Sequence, residues 1–422
     1  MKSITKISGI GTVKYYATDQ EVQIDTTYKQ KNEEFRGVWV STVHNIDLPL
    51  MTSIDEYKAY LLNVIETTAS FNMNKIIFQV RPANDAFYQS KMNPWSRFIT
   101  GTEGQDPGFD VLEFMIFESK KRGIAVHAWM NPYRVSTAEL TKINTTKEQY
   151  LETLSEMNFA RKHPELTILD GINKVILKPA SEVVRQYVVD SIMEVIENYD
   201  IEGIHIDDYF YPYAKVPDEF EIEDYNAQKI DEETFSNWRR RNVDLLIEKL
   251  SIAVWTFNNN NHRNISFGIS PFALFRTNKK LLETGWEKGS MNNPKILQCY
   301  DDLYSDIYKW MEQNWIDYVV PQAYFPFEHE HLPYADIVSW WAERALETNT
   351  LLYVGQAFYL VGTNEIWQNP EEITNQLIFN NQISNIKGTI FFTLKNFLPS
   401  ENPYLTEAQQ RLKNCWNKKA SG

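Results

Sequence analysis

Short apolar runs alternate with amphipathic segments of helical spacing from Phe35 almost to the end of the chain, the pattern of an α/β fold. Strands are expected over Phe35 to Thr42, Lys75 to Pro82, Ile124 to Asn131, Gly203 to Asp208, Asn264 to Phe272, Ile316 to Tyr324, Leu351 to Phe358 and Gly388 to Lys395. Eight strands are the number that closes a (β/α)₈ TIM barrel. The expected organisation is a polar lead-in over residues 1–34 and one barrel domain over residues 35–415. A doubly wound open sheet is the rival architecture. As a nucleotide binder it needs a glycine-rich turn after its first strand, and Val40 to Asn45 contains no glycine.

The helices carry their own start and stop signals. Ser53 to Glu56 reads as a capping box ahead of Leu61, Leu62 and Ile65. Asp110 to Glu113 repeats the logic before a helix that stops at Gly123, and Ser181 precedes Val184, Val188, Ile192 and Val195 on one helical face. Two connections stand out as long, Ser136 to Lys178 after the third strand and Val216 to Phe235 after the fourth. Both follow carboxyl ends of strands, where barrels place the loops that shape a substrate site.

The fourth strand breaks the apolar pattern. In Gly203 to Pro212, GIHIDDYFYP, His205, Asp207 and Tyr209 share one parity while Ile204, Ile206 and Asp208 share the other. Carboxylates are rarely buried unpaired, so the His205/Asp207 face is expected to point into a polar barrel interior, with the isoleucines packing outward on helices. Asp208 reaches the same place only if the backbone turns at the strand end.

Composition narrows the partners. The chain has 422 residues, 43% of them hydrophobic, and a net charge of -14. That charge argues against nucleic acid as the main partner. The two cysteines, Cys299 and Cys415, are too few and too far apart for a disulfide framework or a cysteine-rich metal site. No apolar run approaches the length of a membrane span. Met1 to Gln20 lacks a hydrophobic leader and a small-residue cleavage pattern, so the chain alone carries the expectation of a cytoplasmic protein. Nothing in it fixes an oligomeric state.

Polar residues gather at the expected carboxyl ends of the strands. The first contributes His44, the second Gln79, Arg81 and Asp85, the third His127, Trp129, Asn131 and Arg134, and the fourth His205, Asp207 and Asp208. Ser270, Gln322, Tyr324, Gln356 and Asn396 follow from later strands. Glycoside cleavage needs one carboxyl to protonate the departing oxygen and a second to act as nucleophile or to activate water. Asp207 is the candidate nucleophile or stabilising carboxylate. Three carboxyls are open as proton donor: Asp208 beside it, Asp85, and Glu328 in the loop after the sixth strand. A donor on a different strand is easier to place across a sugar bond, which favours Glu328 or Asp85, while Asp208 stays open because its strand ends there.

Trp39, Trp95, Trp129, Tyr133, Tyr209, Tyr211, Tyr213 and Tyr324 lie in or beside these strand ends, and flat aromatic faces suit sugar rings. Arg81 and Arg134 suit a carboxylate on the substrate, although Arg81 has a plainer reading as the partner of Asp85. A metal-assisted hydrolase would need His44, His127, His205 and Asp207 to converge without any His-x-His or His-Glu-x-x-His pattern, so neither metal nor other cofactor is expected.

At these residues the chain resembles the bacterial glycosyl-hydrolase-like family ten. The matching pieces are FRGVWVSTV at Phe35, IIFQVRPANDAFY at Ile76, GIAVHAWMNPYRV at Gly123, GIHIDDYFYP at Gly203, FGISPFALFR at Phe267 and DYVVPQAYF at Asp317, within residues 35–400. The resemblance implies a glycosidase-type barrel acting on glycans, with bacterial cell-wall peptidoglycan strands as the first substrate class. It places the site at the fourth-strand aspartates and the Arg81/Asp85 segment. It also implies an extracytoplasmic or cell-envelope location, from which this N-terminus departs. Two other readings stand beside it: a glycosidase for a dietary or capsular polysaccharide, and a carbohydrate-binding barrel without catalysis.

Overall fold

The computed structural model describes residues 1–421. Eight parallel strands close into a barrel: β1 (Phe35–Val40), β2 (Lys75–Arg81), β3 (Ala125–Met130), β4 (Gly203–Ile206), β5 (Ser266–Ile269), β6 (Tyr318–Val319), β7 (Leu351–Ala357) and β8 (Ile386–Phe392). Each pairs with its neighbour in sequence, and β8 returns to β1 through Gly388 opposite Phe35. One helix follows each strand on the outside: α1 (Ile54–Ser70), α2 (Val111–Lys120), α3 (Glu182–Asn198), α4 (Phe235–Asn261), α5 (Ile307–Glu312), α6 (Tyr334–Leu346), α7 (Glu372–Gln382) and α8 (Pro403–Cys415). The fold is the expected (β/α)₈ barrel.

Strands β5 and β6 are shorter than their apolar runs. Pro271 and Pro321 lie just beyond their ends, and a residue without an amide N–H cannot extend a ladder. The alternation of side chains follows the expected parity. Phe35, Trp39, Ile77, Trp129, Tyr318, Tyr353 and Ile390 fill the barrel interior, whereas Ile76, Phe78, Ile204 and Ile206 pack in the shell between strands and helices. Glycines make room for the large inner rings. A Cβ at Gly203 would fall 2.3 Å from the His127 ring, and one at Gly268 2.1 Å from the Tyr318 ring.

Local capping explains where the helices begin. Ser53 accepts from the Glu56 N–H, Asp110 from Glu113 and Ser181 from Val184. The reciprocal half of the expected capping box is missing, because the Glu56 carboxylate takes the Thr52 hydroxyl instead. Gly123 ends the α2 segment with φ 70°, a left-handed conformation that a side chain disfavours.

The two connections expected to be long are long, and each carries structure of its own. The first holds a small antiparallel pair, Thr167–Leu169 with Val175–Leu177. The second holds a helix at Ile222–Gln228. The segments from Pro82 to Asp110 and from Ser270 to Asp306 are comparable and were not anticipated, because they contain buried residues, among them Phe87, Ile99, Leu274 and Phe275, that read as ordinary core. The lead-in is a folded strap. Lys2–Ser3 pairs with Gln23–Ile24, Val22 and Ile24 are buried, and backbone amides of Tyr16 and Lys29 donate to Asp336 and Asn381 on α6 and α7. No helix among the described residues is long and apolar enough to cross a membrane.

Candidate active site

Strand β4 ends at Ile206, and the Asp207 side chain immediately accepts the Tyr209 N–H at 3.0 Å. This bond to the amide two residues on is an Asx-turn, and it turns the chain at the strand end. Asp207 points inward, as its parity requires. The turn also brings Asp208, which has the opposite parity, to the same cavity of about 490 Å³ at the barrel mouth. They are 8% and 6% exposed. Among the described residues they are the cavity's two carboxyls, and Arg134 is its one cation.

The two aspartates have different surroundings. Asp207 holds donors on both oxygens: Oδ2 accepts Trp129 Nε1 at 3.1 Å and Asn131 Nδ2 at 2.7 Å, and Oδ1 accepts the Tyr209 amide. The orientation of Asn131 is itself dictated. Gln79 Oε1 accepts the N–H groups of Thr42 and Val43, both at 2.9 Å, so its amino group faces Asn131 Oδ1 at 2.7 Å. Asn131 is thereby left with its amino group toward Asp207. Asp208 instead accepts the Tyr213 hydroxyl at 2.5 Å, while Gln322, beside it in the lining, donates to the Ser270 carbonyl. Burial, followed by the charge of Asp207, pushes the Asp208 carboxyl up to about 7, and the hydrogen bond from Tyr213 offsets only part of this. A carboxyl so held exchanges its proton near neutral pH, well above the ordinary carboxylate range.

Beneath the mouth lies a closed polar chain. The Tyr318 hydroxyl sits 3.0 Å from His127 Nδ1 and 3.1 Å from His205 Nδ1, while His205 Nε2 is 2.9 Å from Ser270 Oγ and 3.3 Å from Trp39 Nε1. Because an indole N–H can only donate, His205 Nε2 is an acceptor and its proton resides on Nδ1. Burial lowers both imidazoles, His205 to about 3. They are neutral barrel residues.

Of the residues expected at the site, Asp207, Asp208, Gln79, Trp129, Tyr209, Gln322 and Tyr324 line the cavity, as do Trp39, Arg134, Tyr213 and Ser270. Several others are placed elsewhere. Glu328 accepts the Ile7 N–H at 2.6 Å out by the N-terminal strap and is not among the residues lining the cavity. Asp85 is sealed, holding the Ala83 amide and the Ser96 hydroxyl, so burial raises its carboxyl to about 6 without giving it access to substrate. Arg81 does not pair with Asp85. It is buried on Asn84, Asn93 and the Asn131 carbonyl, where it braces the loops outside the cavity lining. Tyr133 and Tyr211 are core, Trp95 packs against core, and Gln356 turns outward to Gln376 on α7. His44 lies exposed at the rim with φ 54°, beside the lining residues Val43 and Ile46. Asn131, His127 and His205 act from behind the lining. Ser41, Phe272, Phe325, Tyr359 and Phe392 line the cavity without having been anticipated. Phe392 shares the inward parity of Ile390, a signal the strand pattern already carried, whereas Tyr359 and Phe325 come from loops. Among the described residues no group of three metal-ligating side chains converges.

The sequence model of the family described as "Glycosyl hydrolase-like 10" matches residues 34–372. The chain belongs to that family. Curated relatives include glycosyl hydrolase YngK of Bacillus subtilis, 35% identical over 89% of this chain and 70% of that protein. Glycosyl hydrolase DigH of Escherichia coli K12 is 31% identical over 92% of this chain and 89% of its own length. Among solved structures, the PgaB (BpsB) glycoside hydrolase domain of Bordetella bronchiseptica superposes with a TM-score of 0.54 at 10% identity, covering 91% of this chain and 98% of that one. That likeness concerns the barrel fold alone. Within the family match lie β1 to β7, both mouth aspartates and Gln79, Trp129 and Asn131.

Proposed function

We propose that this protein hydrolyses glycosidic bonds in a polysaccharide, and that its substrate is the glycan strand of bacterial peptidoglycan. The observation that carries the reading is the pair of neighbouring carboxyls opening on one aromatic-lined cavity, one raised toward neutrality by burial and the other holding N–H donors on both oxygens. Asp208 gives its proton to the departing glycosidic oxygen. Asp207 supplies the negative charge that stabilises the oxocarbenium-like centre as the bond breaks. Water then completes the cleavage, with Asp208 taking a proton back.

The family membership and the names of the relatives support a glycosidase. For the wall substrate the support is chemical. Arg134 lies on the Tyr209 ring, 4.5 Å from its centroid, and donates to the Pro82 carbonyl through one nitrogen, which leaves other N–H groups for a ligand. Alternate sugars of a peptidoglycan strand carry a lactyl carboxylate, exposed once stem peptides are removed, and a guanidinium pairs with such a group through two bonds. A wall substrate also implies that the protein works in the cell envelope.

Mass spectrometry of products from purified peptidoglycan, with and without stem peptides, beside neutral dietary and capsular polysaccharides, tests this. Cleavage of peptidoglycan strands is the expected result. Cleavage of a neutral polysaccharide alone would replace the substrate. Glycan binding without any product would leave a carbohydrate-binding barrel.

A further inference from the structure

Asp207 is poorly arranged to attack a sugar itself. An ionised carboxylate offers about four acceptor positions. Three are already used by Trp129, Asn131 and Tyr209, two of them on one oxygen. The Gln79–Asn131 relay and the Asx-turn hold these donors, and with them the carboxylate, in place. What remains is one acceptor position on Oδ1 facing the cavity. Asp208 is the other cavity carboxyl and is occupied by its role as proton donor. A carboxylate held as firmly as Asp207 is better placed to orient a group of the substrate than to move onto the anomeric carbon.

The cavity has features that suit a nucleophile brought by the substrate. Tyr324 lines it and carries a hydroxyl that makes no hydrogen bond to any described residue. Around Tyr324 the rings of Trp39 and Phe392 pack at centroid distances of 6.5 and 6.0 Å, and they stand 6.2 Å from each other. An apolar wall, a free hydroxyl donor and a carboxylate with one open acceptor position match the methyl, carbonyl and N–H of an acetamido group. We infer that the substrate is a 2-acetamido sugar whose own carbonyl oxygen attacks the anomeric carbon, with Asp207 accepting the amide N–H. This rests on the glycosidase reading above and deepens it.

The step balances. The carbonyl oxygen bonds C1 as the C1–O glycosidic bond breaks, and the proton of Asp208 goes to the leaving oxygen. The resulting bicyclic oxazolinium bears its positive charge beside Asp207. Water then attacks C1, the ring reopens to the acetamide, and the water's proton returns to Asp208. Two displacements at one carbon give retained configuration.

The decisive experiment compares the wild-type protein on one glycan carrying N-acetyl, N-trifluoroacetyl or hydroxyl groups at C2, and measures inhibition by the methyl-thiazoline analogue of the 2-acetamido sugar. The expected result is retained configuration by early-time NMR and competitive thiazoline inhibition. The N-trifluoroacetyl glycan is cut more slowly by roughly tenfold or more, because an electron-poor carbonyl is a weaker nucleophile. The C2-hydroxyl glycan is expected to resist cleavage. Tyr324→Phe is expected to weaken thiazoline binding, while Arg134→Ala changes it little. Inverted products, equal rates across the C2 groups, or a covalent sugar adduct on Asp207 after exposure to a 5-fluoro glycosyl fluoride would overturn the inference while leaving a glycosidase. Failure to cleave any glycan in the panel would overturn the glycosidase reading itself.

Discussion

The floor and the mouth of the barrel are both built from buried titratable groups with displaced protonation, and they differ in where their hydrogen bonds end. At the floor, His127 and His205 both bond the Tyr318 hydroxyl, and the chain runs on from His205 to Trp39 and Ser270, so that both imidazoles lie behind the cavity lining. At the mouth, Asp208 is displaced just as clearly, but it opens on a cavity and neighbours a second carboxyl. Asp85 and Glu372 fall with the floor: burial raises Asp85 to about 6 and Glu372 to about 7, yet local amides and side chains enclose both. Displaced protonation therefore marks burial, and only access converts it into chemistry.

The largest test of that contrast is Asp208→Asn. Loss of the proton donor is expected to lower kcat by about 10² to 10⁴ on a glycan, and far less on an aryl glycoside whose leaving group needs no proton. In the parent protein, activity should fall as pH rises through about 7, the value at which Asp208 gives up its proton, and this alkaline limb should vanish in the variant. The same substitution should stabilise the fold at alkaline pH. The folded pKa of Asp208 lies above the unfolded one near 3.8, so its cost to stability appears as pH rises between those values. Thermal melts at pH 5 and pH 8 read this directly.

Asp207→Asn keeps the side chain's shape and removes its charge. Activity should drop by roughly 10² to 10³ while circular dichroism and Tm stay close to the parent, since the loss lies in transition-state stabilisation. A variant cleaving its glycan at near the parent rate would refute the assignment. A smaller effect is expected one step back from the carboxylates. Gln79→Ala frees Asn131 to rotate, and the lost constraint on Asp207 should lower kcat about tenfold with KM nearly unchanged.

The smallest effect on activity belongs to the floor. Tyr318→Phe leaves two imidazole nitrogens without their partner and should reduce stability by about 1–3 kcal/mol, with kcat near that of the parent. Acid sensitivity sharpens the comparison. The folded pKa of His205, about 3, lies below its unfolded value near 6.5, so the unfolded chain takes the proton first. Stability from this group is complete above the unfolded value and is lost as pH falls toward 3, the opposite slope to Asp208. Urea melts from pH 7 to pH 4 should show it, and a kcat loss in Tyr318→Phe matching that of Gln79→Ala would dissolve the distinction between floor and mouth.

The sequence by itself determined the barrel and the direction of Asp207. Strand count, helix caps and the alternation of His205 and Asp207 with Ile204 and Ile206 are local patterns, and local patterns survive without knowledge of neighbours. The motifs that carried the family resemblance lie largely on these same strands, which is why the resemblance and the fold agree. Tertiary structure alone decided which polar residues reach the cavity. Along the chain Asp85 and Glu328 looked better placed than Asp208 as proton donors and Arg81 suited a substrate carboxylate, yet Ser96, the N-terminal strap and Asn84 claim them. Asp208 joined the site through an Asx-turn closed by the Tyr209 amide, and Asn131 acquired its role only because Gln79 is pinned by two backbone N–H groups from β1's outgoing loop. A hydrogen bond has two ends, and sequence spacing shows only one of them.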